Sequence, residues 1–186
     1  IKLYNLHHRG MEVVWPYYEY GELVYWQSRS RLNKIFRFPP SDIGVSKGDF
    51  LYGFDMVEPA TYAIITEAIF DAHMLKDQTM ASGGAVLTAN QIKKLKLLGP
   101  SDGVILAPDN DKAGMQSIIH NYRLLDSNGF KVYYSLPPQE YGCKDWNEIG
   151  EKTDFSNVKE IMESNINRLN NREMVRLRRR MSQLKN

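Results

Sequence analysis

Short apolar runs alternate with amphipathic stretches along the chain from residue 60 onward. Four runs have the length and composition of buried strands, at 61–67, 79–84, 103–109 and 131–137. The stretches between them carry apolar residues at helical spacing, at 68–76, 88–99 and 112–129. Strands that alternate with helices in this way are typical of βαβ units. The pattern therefore predicts an α/β fold with a central, mainly parallel sheet, whose strands are apolar because helices cover both faces.

The clearest helix signal lies at 88–99. Thr88 can cap the first turn, and Gly99 is the residue type that commonly ends a helix. Between them, Ile92, Leu95 and Leu98 form an apolar stripe. This stretch is therefore expected to be an amphipathic helix.

The N-terminal part of the chain has the pattern of antiparallel β-structure. Within 11–38, two runs of aromatic and β-branched residues flank EYGE, a turn with glycine, and so predict a hairpin. Aromatic residues on such strands can stack on nucleic-acid bases, although packing within the sheet is their more common use. We expect a small β-rich part at 1–58, an α/β part at 59–150 and a C-terminal helical segment at 151–186.

The C-terminal segment has apolar residues near helical spacing from Ser156 onward, which predicts one long helical pattern. These residues are Val158, Met162, Ile166, Leu169, Leu177, Met181 and Leu184. The last part, 172–185, is basic and amphipathic. Three interpretations stay open for it: a solvated helix face, a contact with nucleic acid, or a helix that docks on a further domain.

The composition narrows the class of protein. With 186 residues and 42% hydrophobic residues, the chain can form one substantial domain with a packed core. It lacks an apolar run of the roughly 20 residues that a membrane helix needs, and its N-terminus lacks the apolar core of a signal peptide. The single cysteine, Cys143, excludes an internal disulfide and a cysteine-rich zinc site. We expect a cytoplasmic protein with no membrane partner, and the missing initial methionine indicates a fragment.

Charge is unevenly distributed, although the net charge is only +2. Residues 1–50 have a balance of +2, residues 51–167 one of −6, and residues 168–186 one of +6. Carboxylates gathered in one fold can hold a divalent cation, and basic surfaces can hold polyanions. The acidic middle segment is therefore a candidate region for binding a cation.

Acidic residues follow several of the predicted strands. Glu67 ends the first strand and Asp71 lies one helical turn later. Asp109 and Asp111 follow the third strand, and Asp145 comes just after the fourth. Because ligands of parallel α/β sheets bind beyond the carboxyl ends of the strands, these five carboxylates are expected to converge. Mg²⁺ would relieve their mutual repulsion and could also bind substrate phosphates.

A simpler explanation stays open for the Asp109-Asn110-Asp111 stretch. Aspartate and asparagine are favoured in turns and at helix N-termini, and a helix is predicted from residue 112. Helix capping explains less readily why another acid ends a separate strand and is followed by a further acid one turn later.

These residues resemble the motifs of the toprim fold, the catalytic domain shared by bacterial and phage DNA primases, topoisomerases and some nucleases. That family has a strand ending in Glu, usually followed by Gly, then an Asp four residues on, and later an Asp-x-Asp strand end followed by Ala-Gly. IITEAIFDAHML and VILAPDNDKAG supply both motifs, with Ala68 in place of the usual glycine. The resemblance implies that Mg²⁺, or Mn²⁺ as a substitute, is bound by Glu67, Asp71, Asp109, Asp111 and Asp145. It also implies that Glu67, Asp109 and Asp111 are catalytic, with Glu67 assisting proton transfer.

Further stretches resemble the RNA polymerase core of primases, over about residues 10–150. SKGDFLYGFD is similar to a segment upstream of the toprim domain, and KDWNEI is similar to a phage primase segment that supplies a further acid. By this resemblance, 1–58 is the basic N-terminal subdomain of the primase core and 59–150 is the toprim catalytic domain. The residues implied to hold template or nucleotide phosphates are Arg29, Arg31, Lys34, Lys47 and Lys112.

Arg29 and Arg31 lie two positions apart and would share one face of a strand. There they could bind phosphate, or they could simply protect a strand edge.

The resemblance implies a nucleotidyltransferase of the DNA primase type. The KDWNEI segment resembles the primases of phages in particular. Such an enzyme would join ribonucleoside triphosphates into short RNA primers on single-stranded DNA during DNA replication. One cysteine cannot build a zinc-binding module, so zinc is not expected in this chain. The sequence also lacks a GxxxxGK[ST] loop, so unwinding would belong to other segments or to a replicative helicase partner. Two alternatives stay open: a toprim-type metal-dependent nuclease or RNA-processing enzyme, and a nucleic-acid-binding module with an inactive site.

Overall fold

Two β-sheets organise the chain in the computed structural model, which describes residues 7–9, 11–33, 35–58 and 61–183. An antiparallel sheet comes first and a mostly parallel sheet with helices on both sides follows. This arrangement confirms the predicted α/β class, with a small β-rich part in front of a central sheet.

The N-terminal sheet has the strand order β1-β2-β3-β4, with every pairing antiparallel. Its strands are β1 (His7–Arg9), β2 (Glu12–Glu19), β3 (Glu22–Ser30) and β4 (Phe36–Arg37). The predicted hairpin joins β2 to β3 through Tyr20 and Gly21, whose φ angles of 55° and 80° suit a two-residue hairpin turn. Both backbone N–H groups of this turn donate to the Asp55 carboxylate at 2.7 Å.

The central sheet has the order β6-β5-β7-β8-β9. Its strands are β5 (Tyr62–Thr66), β6 (Thr79–Ala81), β7 (Gly103–Leu106), β8 (Val132–Tyr134) and β9 (Asn167–Arg168). The first four in chain order are parallel, and β9 adds an antiparallel strand at one edge. At the opposite edge, Tyr52 forms an isolated antiparallel bridge with Ala81 of β6.

Helices cover both faces of the central sheet, as the apolar strands predicted. They are α1 (Ile69–Leu75), α2 (Ala89–Leu98), α3 (Lys112–Ser127), α4 (Trp146–Lys152), α5 (Val158–Ser164) and α6 (Asn171–Gln183). Alternate residues of β5 point to opposite cores: Ile65 packs with α2, α3 and α6, whereas Ile64 packs with α1, α4 and α5. Within the described ranges, none of the helices has the length and apolar character that crossing a bilayer requires.

Helix α2 begins and ends where the sequence indicated. The Thr88 hydroxyl accepts a hydrogen bond from the Gln91 N–H, and the Gln91 side chain accepts one from the Thr88 N–H. Gly99 ends the helix in the left-handed conformation, with φ 59°. The Gln91 amide nitrogen also donates to the carbonyls of Phe50 and Ser82, so α2 ties the segment before β5 to the loop after β6.

A third apolar cluster joins the two sheets. Trp15, Tyr17 and Tyr25 of the hairpin are almost fully buried against Phe50, Tyr52 and the start of α1. These three rings are therefore packing residues and are not exposed platforms for bases. The cluster sets the N-terminal sheet beside the end of the central sheet from which β5 leads into α1.

The expectation of one long helical pattern from Ser156 onward is wrong. The segment forms α5, the short strand β9 and then α6. Asparagine side chains compete with the helix backbone for hydrogen bonds: Asn165 ends α5 and bonds the Ile161 carbonyl, and the Asn170 side chain accepts from two N–H groups of the first turn of α6. Helix α6 packs on α3 of the same domain, so its apolar face does not depend on a further domain.

Replacing Leu177 by alanine tests the docking of α6. Leu177 is 3% exposed in the core between α6, α3 and the sheet. The Leu177→Ala change should lower the free energy of unfolding by about 2–4 kcal/mol, measured by chemical denaturation, because it leaves a cavity. The matched change Val175→Ala, at a residue that is 46% exposed on the same helix, should have little effect. Equal effects of the two changes would show that α6 is not packed in solution.

Candidate active site

The ends of β5 and β7 bring together acids that are distant in the sequence. The two strands are parallel neighbours, with Ile65 paired to Leu106, and the Ala107 N–H donates to the Ile65 carbonyl at 2.8 Å. Glu67 follows β5 directly, and Asp109 lies three residues after β7. The carboxyl ends of adjacent parallel strands thus place these side chains at one edge of the sheet.

Mutual repulsion at this edge affects the pKa of Glu67. Its pKa is raised, first by burial and then by the negative charges of Asp109 and Asp111. Lys144 and Lys47 act in the opposite direction. Glu67 therefore shares one electrostatic environment with the Asp-Asn-Asp loop, as the sequence predicted.

Asp71 and Asp145 form the second part of the acidic group. Asp71 lies in the first turn of α1, is 4% exposed, and accepts a hydrogen bond from the Asn147 N–H at 3.0 Å. Burial, followed by the charge of Asp145, raises the pKa of Asp71 to about 7. Asp145 caps α4 by accepting from the Glu148 N–H, and its own pKa is raised mainly by burial.

Lys144 bridges the two aspartates that follow β7. Its Nζ lies 3.0 Å from Asp109 Oδ2 and 3.2 Å from Asp111 Oδ2. These hydrogen bonds raise the pKa of the Lys144 ammonium group. The sequence reasoning did not single out Lys144, although its place directly before Asp145 in KDWNEI was an available signal.

Asp111 has the helix-capping role that was considered for it, and it also forms an ion pair. Its Oδ1 accepts from the Gly114 N–H at 2.8 Å and so caps α3, while Oδ2 faces Lys144. Although burial works against it, these hydrogen bonds lower the pKa of Asp111. A Cβ atom at Gly114 would lie 2.0 Å from the Asp109 carbonyl oxygen, so only glycine permits the helix to start this close to the loop.

The carboxylates have the chemistry of a magnesium site but not its closed geometry. The described residues contain no group of three or more acids, histidines or cysteines that is close enough together to hold a metal ion. Instead, the Lys144 ammonium lies between two of the acids, where it shows that the pair attracts a cation. All the acidic donors are hard oxygens, which Mg²⁺ prefers. A metal ion bound between Asp109 and Asp111 would have to displace Lys144.

A cleft of about 200 Å³ opens between the N-terminal sheet and Glu67. Lys47 and Glu67 both line it, together with Phe36, Phe38 and Phe70. The Lys47 Nζ lies 5.8 Å from the centre of the Phe38 ring. The cleft therefore combines a cation, exposed aromatic faces and the acidic edge.

Arg29 lies beside this cleft, against two of the aromatic rings that line it. The Arg29 guanidinium carbon lies 5.3 Å from the Phe36 ring centre and 5.2 Å from that of Phe70. The prediction that Arg29 and Arg31 share a strand face is wrong, because β3 ends at Ser30 and Arg31 lies in the following turn. Lys34 lies outside the described residues.

Lys112 is the first residue of α3 and is exposed next to Asp111. That position puts it at the acidic edge, as the sequence predicted.

Replacing Lys144 by methionine tests the bridge. Without metal and at low salt, Lys144→Met should lower Tm by about 1–3 °C, because Asp109 and Asp111 lose their shared counter-charge. Adding Mn²⁺ should then raise Tm more in the variant than in the wild type, since the metal no longer competes with an ammonium group. Thermal unfolding with Lys96→Met, at an exposed α2 residue, is the control. If Mn²⁺ raised the Tm of Lys144→Met and of the wild type by the same amount, the bridge would be contradicted.

Replacing Asp71 by asparagine tests the crowding of charge in metal-free buffer. Asp71 has a pKa of about 7 in the folded chain against 3.8 in the reference state, so folding becomes less favourable as pH rises from about 4 to 7. The Asp71→Asn variant lacks this cost and should be more stable than wild type at pH 8, by on the order of 4 kcal/mol. The difference in stability between this variant and the wild type should shrink towards pH 5. The control Asp126→Asn, at an exposed residue, should show no such trend. If the stability difference between Asp71→Asn and the wild type did not depend on pH, the crowding of charge would be refuted.

Comparisons with known proteins agree with the α/β fold described above. The family model described as Toprim-like matches residues 64–149. The DNA primase of Thermotoga maritima is 29% identical over an alignment of 152 residues, which covers 77% of this chain and 26% of that protein. The chain thus spans about a quarter of the length of this curated relative.

Solved structures show the same fold at low identity. The Aquifex aeolicus primase, comprising zinc-binding and RNA polymerase domains, gives a TM-score of 0.69 at 23% identity, over 92% of this chain and 46% of that one. The primase fragment of the bacteriophage T7 primase-helicase protein gives 0.61 at 22% identity, over 82% of this chain and 62% of that one. The RNA polymerase domain of the Mycobacterium tuberculosis primase gives 0.64 at 15% identity, over 94% and 66%.

Proposed function

With residues 64–149 forming a toprim-like domain and the chain having the fold of a primase catalytic core, we propose that it synthesises short RNA primers on single-stranded DNA. The observation that carries the proposal is the meeting of Glu67 with Asp109 and Asp111 beside a basic, aromatic cleft. Primase relatives imply a nucleotidyltransferase, and this arrangement supplies the charged groups that phosphoryl transfer requires.

Magnesium is the proposed cofactor, with Mn²⁺ as a substitute. The residues that would hold it are Glu67, Asp71, Asp109, Asp111 and Asp145. When bound, such an ion neutralises charge on the phosphates and on the attacking and leaving oxygens. Glu67, whose pKa burial raises, is suited to accept the proton of the primer 3′ hydroxyl, because a more basic carboxylate is a better proton acceptor.

The cations around the cleft would bind the polyanionic substrates. Lys47 faces Glu67 in the cleft, and Arg29 lies against two of its aromatic rings. Lys112 and Arg31 would extend the positive surface towards the triphosphate and the template strand. Exposed rings such as Phe36 and Phe38 would offer stacking surfaces for bases.

The proposed division of labour follows the chain. Residues 1–58 would guide nucleic acid, 59–150 would carry the chemistry, and 151–186 would support the catalytic part. Single-stranded DNA and ribonucleoside triphosphates are the proposed substrates, in the cytoplasm of a bacterium or of a phage-infected cell. Zinc-dependent template recognition and helicase activity would come from other segments or partner proteins, as the one cysteine of this chain cannot form a zinc module.

A primer-extension assay tests the function. The chain is incubated with Mg²⁺, labelled ribonucleotides and single-stranded DNA, with and without a short annealed RNA that bypasses initiation. Wild type should extend the RNA, and Asp109→Asn should reduce the rate at least about 100-fold, because it removes a carboxylate that would hold the cation at the reacting phosphates. Asp126→Asn should retain the wild-type rate.

Two results would contradict the proposal. Equal extension by wild type and Asp109→Asn would show that the acidic edge takes no part in the reaction. Magnesium-dependent cleavage of DNA in the absence of nucleotides, without extension, would assign the site to a nuclease.

A further inference from the structure

Asn110, between the two aspartates, is bound by three separate parts of the chain. Its backbone N–H donates to the Lys144 carbonyl at 2.7 Å, and its side-chain nitrogen donates to the Pro137 carbonyl at 2.7 Å. Its side-chain oxygen accepts from Arg180 Nη2, also at 2.7 Å. The middle residue of the acidic loop therefore has its N–H and both ends of its amide in use.

Arg180 reaches this loop because of the way α6 is docked. Met174 and Leu177 bury one stripe of α6 in the core that it shares with α3. One turn away, Glu173 accepts a hydrogen bond from the Tyr134 hydroxyl at 3.0 Å, which holds the helix against the end of β8. These contacts leave Arg180 on the side of α6 that faces the loop.

The guanidinium group of Arg180 is partly buried where it donates to Asn110. Its Nε is buried without a hydrogen-bond partner in the part of the chain that the structure describes. A charged donor forms a stronger hydrogen bond than a neutral one, and an amide oxygen deprived of its donor loses more than the bond itself. Removal of Arg180 would therefore leave the Asn110 side-chain oxygen without its charged donor and would remove one of the three contacts that hold the loop.

We infer that Arg180 is a positioning residue that fixes the spacing of Asp109 and Asp111 through Asn110. Helix α6 is then part of the active site, although it lies outside residues 64–149 that match the Toprim-like family. The catalytic role of Arg180 rests on the proposed function. Its effect on the loop can be tested separately, by measuring metal affinity. Arg178 and Arg179 are exposed on the same helix and provide matched controls.

The experiment measures Mn²⁺ affinity by electron paramagnetic resonance, without nucleotides or DNA. Arg180→Ala should weaken binding about tenfold, the lower end of what loss of an outer-shell partner costs a metal site. Arg178→Ala removes the same charge from the same helix and should bind Mn²⁺ as wild type does. Arg180→Lys, which can still donate to the Asn110 oxygen, should recover part of the affinity.

A double-mutant cycle identifies the route of the effect. Asn110→Ala should weaken Mn²⁺ binding to a similar extent, and adding Arg180→Ala to it should cause little further loss. In primer extension, Arg180→Ala should lower kcat with little change in the KM for template. A residue that only attracted DNA would raise that KM and leave kcat unchanged.

The outcomes separate this inference from the proposed function. Equal Mn²⁺ affinity of Arg180→Ala and Arg178→Ala would overturn the positioning role, as would independent, additive effects of Arg180 and Asn110. It would also be overturned if wild type bound no Mn²⁺. A wild type that binds Mn²⁺ but extends no primer would refute the proposed function, and the affinities would still decide the role of Arg180.

Discussion

Repulsion among carboxylates at the ends of β5 and β7 is the constraint to which the surrounding structure responds. Four of the five acids contact a local source of positive charge, whereas the pKa of Glu67 stays raised, first by burial, despite the charges of Lys144 and Lys47. Asp111 and Asp145 accept backbone N–H groups at the starts of α3 and α4, and Asp71 accepts one from the first turn of α4. Lys144 supplies a full positive charge between Asp109 and Asp111. The fold thus tolerates a concentration of negative charge that a divalent cation could later share.

The cleft depends on the packing between the two sheets. The cluster around Tyr17, Tyr25 and Tyr52 fixes the hairpin against α1, and Gln91 links the segment before β5 to the loop after β6. Through these contacts, Lys47 and Arg29 face the edge that carries Glu67. Arg29 comes from the N-terminal sheet, Lys47 from the segment between the two sheets and Glu67 from the end of β5, so their relative position is a property of the tertiary core.

Features encoded by local spacing could be predicted from the sequence, and features made by distant contacts could not. The apolar runs placed the strands, and the acids that follow them were placed at one edge because parallel strands end together. Thr88 and Gly99 marked α2 correctly, since capping depends on a few neighbouring residues. By contrast, the hydrogen bond between Asn110 and Arg180 spans 70 residues, and periodicity holds no information on such a pair. The break between α5 and α6 was missed because the apolar spacing continued across Asn165 and Asn170, whose side chains end one helix and start the next.

The short elements at the two margins of the central sheet bear on its behaviour at high concentration. On one margin β9 covers β8, and on the other Tyr52 pairs with Ala81 of β6. An exposed edge strand offers unpaired N–H and carbonyl groups, with which a strand of another molecule can pair, and this leads to aggregation. Since both margins are partly occupied by the chain itself, the strongly apolar parallel strands are shielded from joining those of another copy.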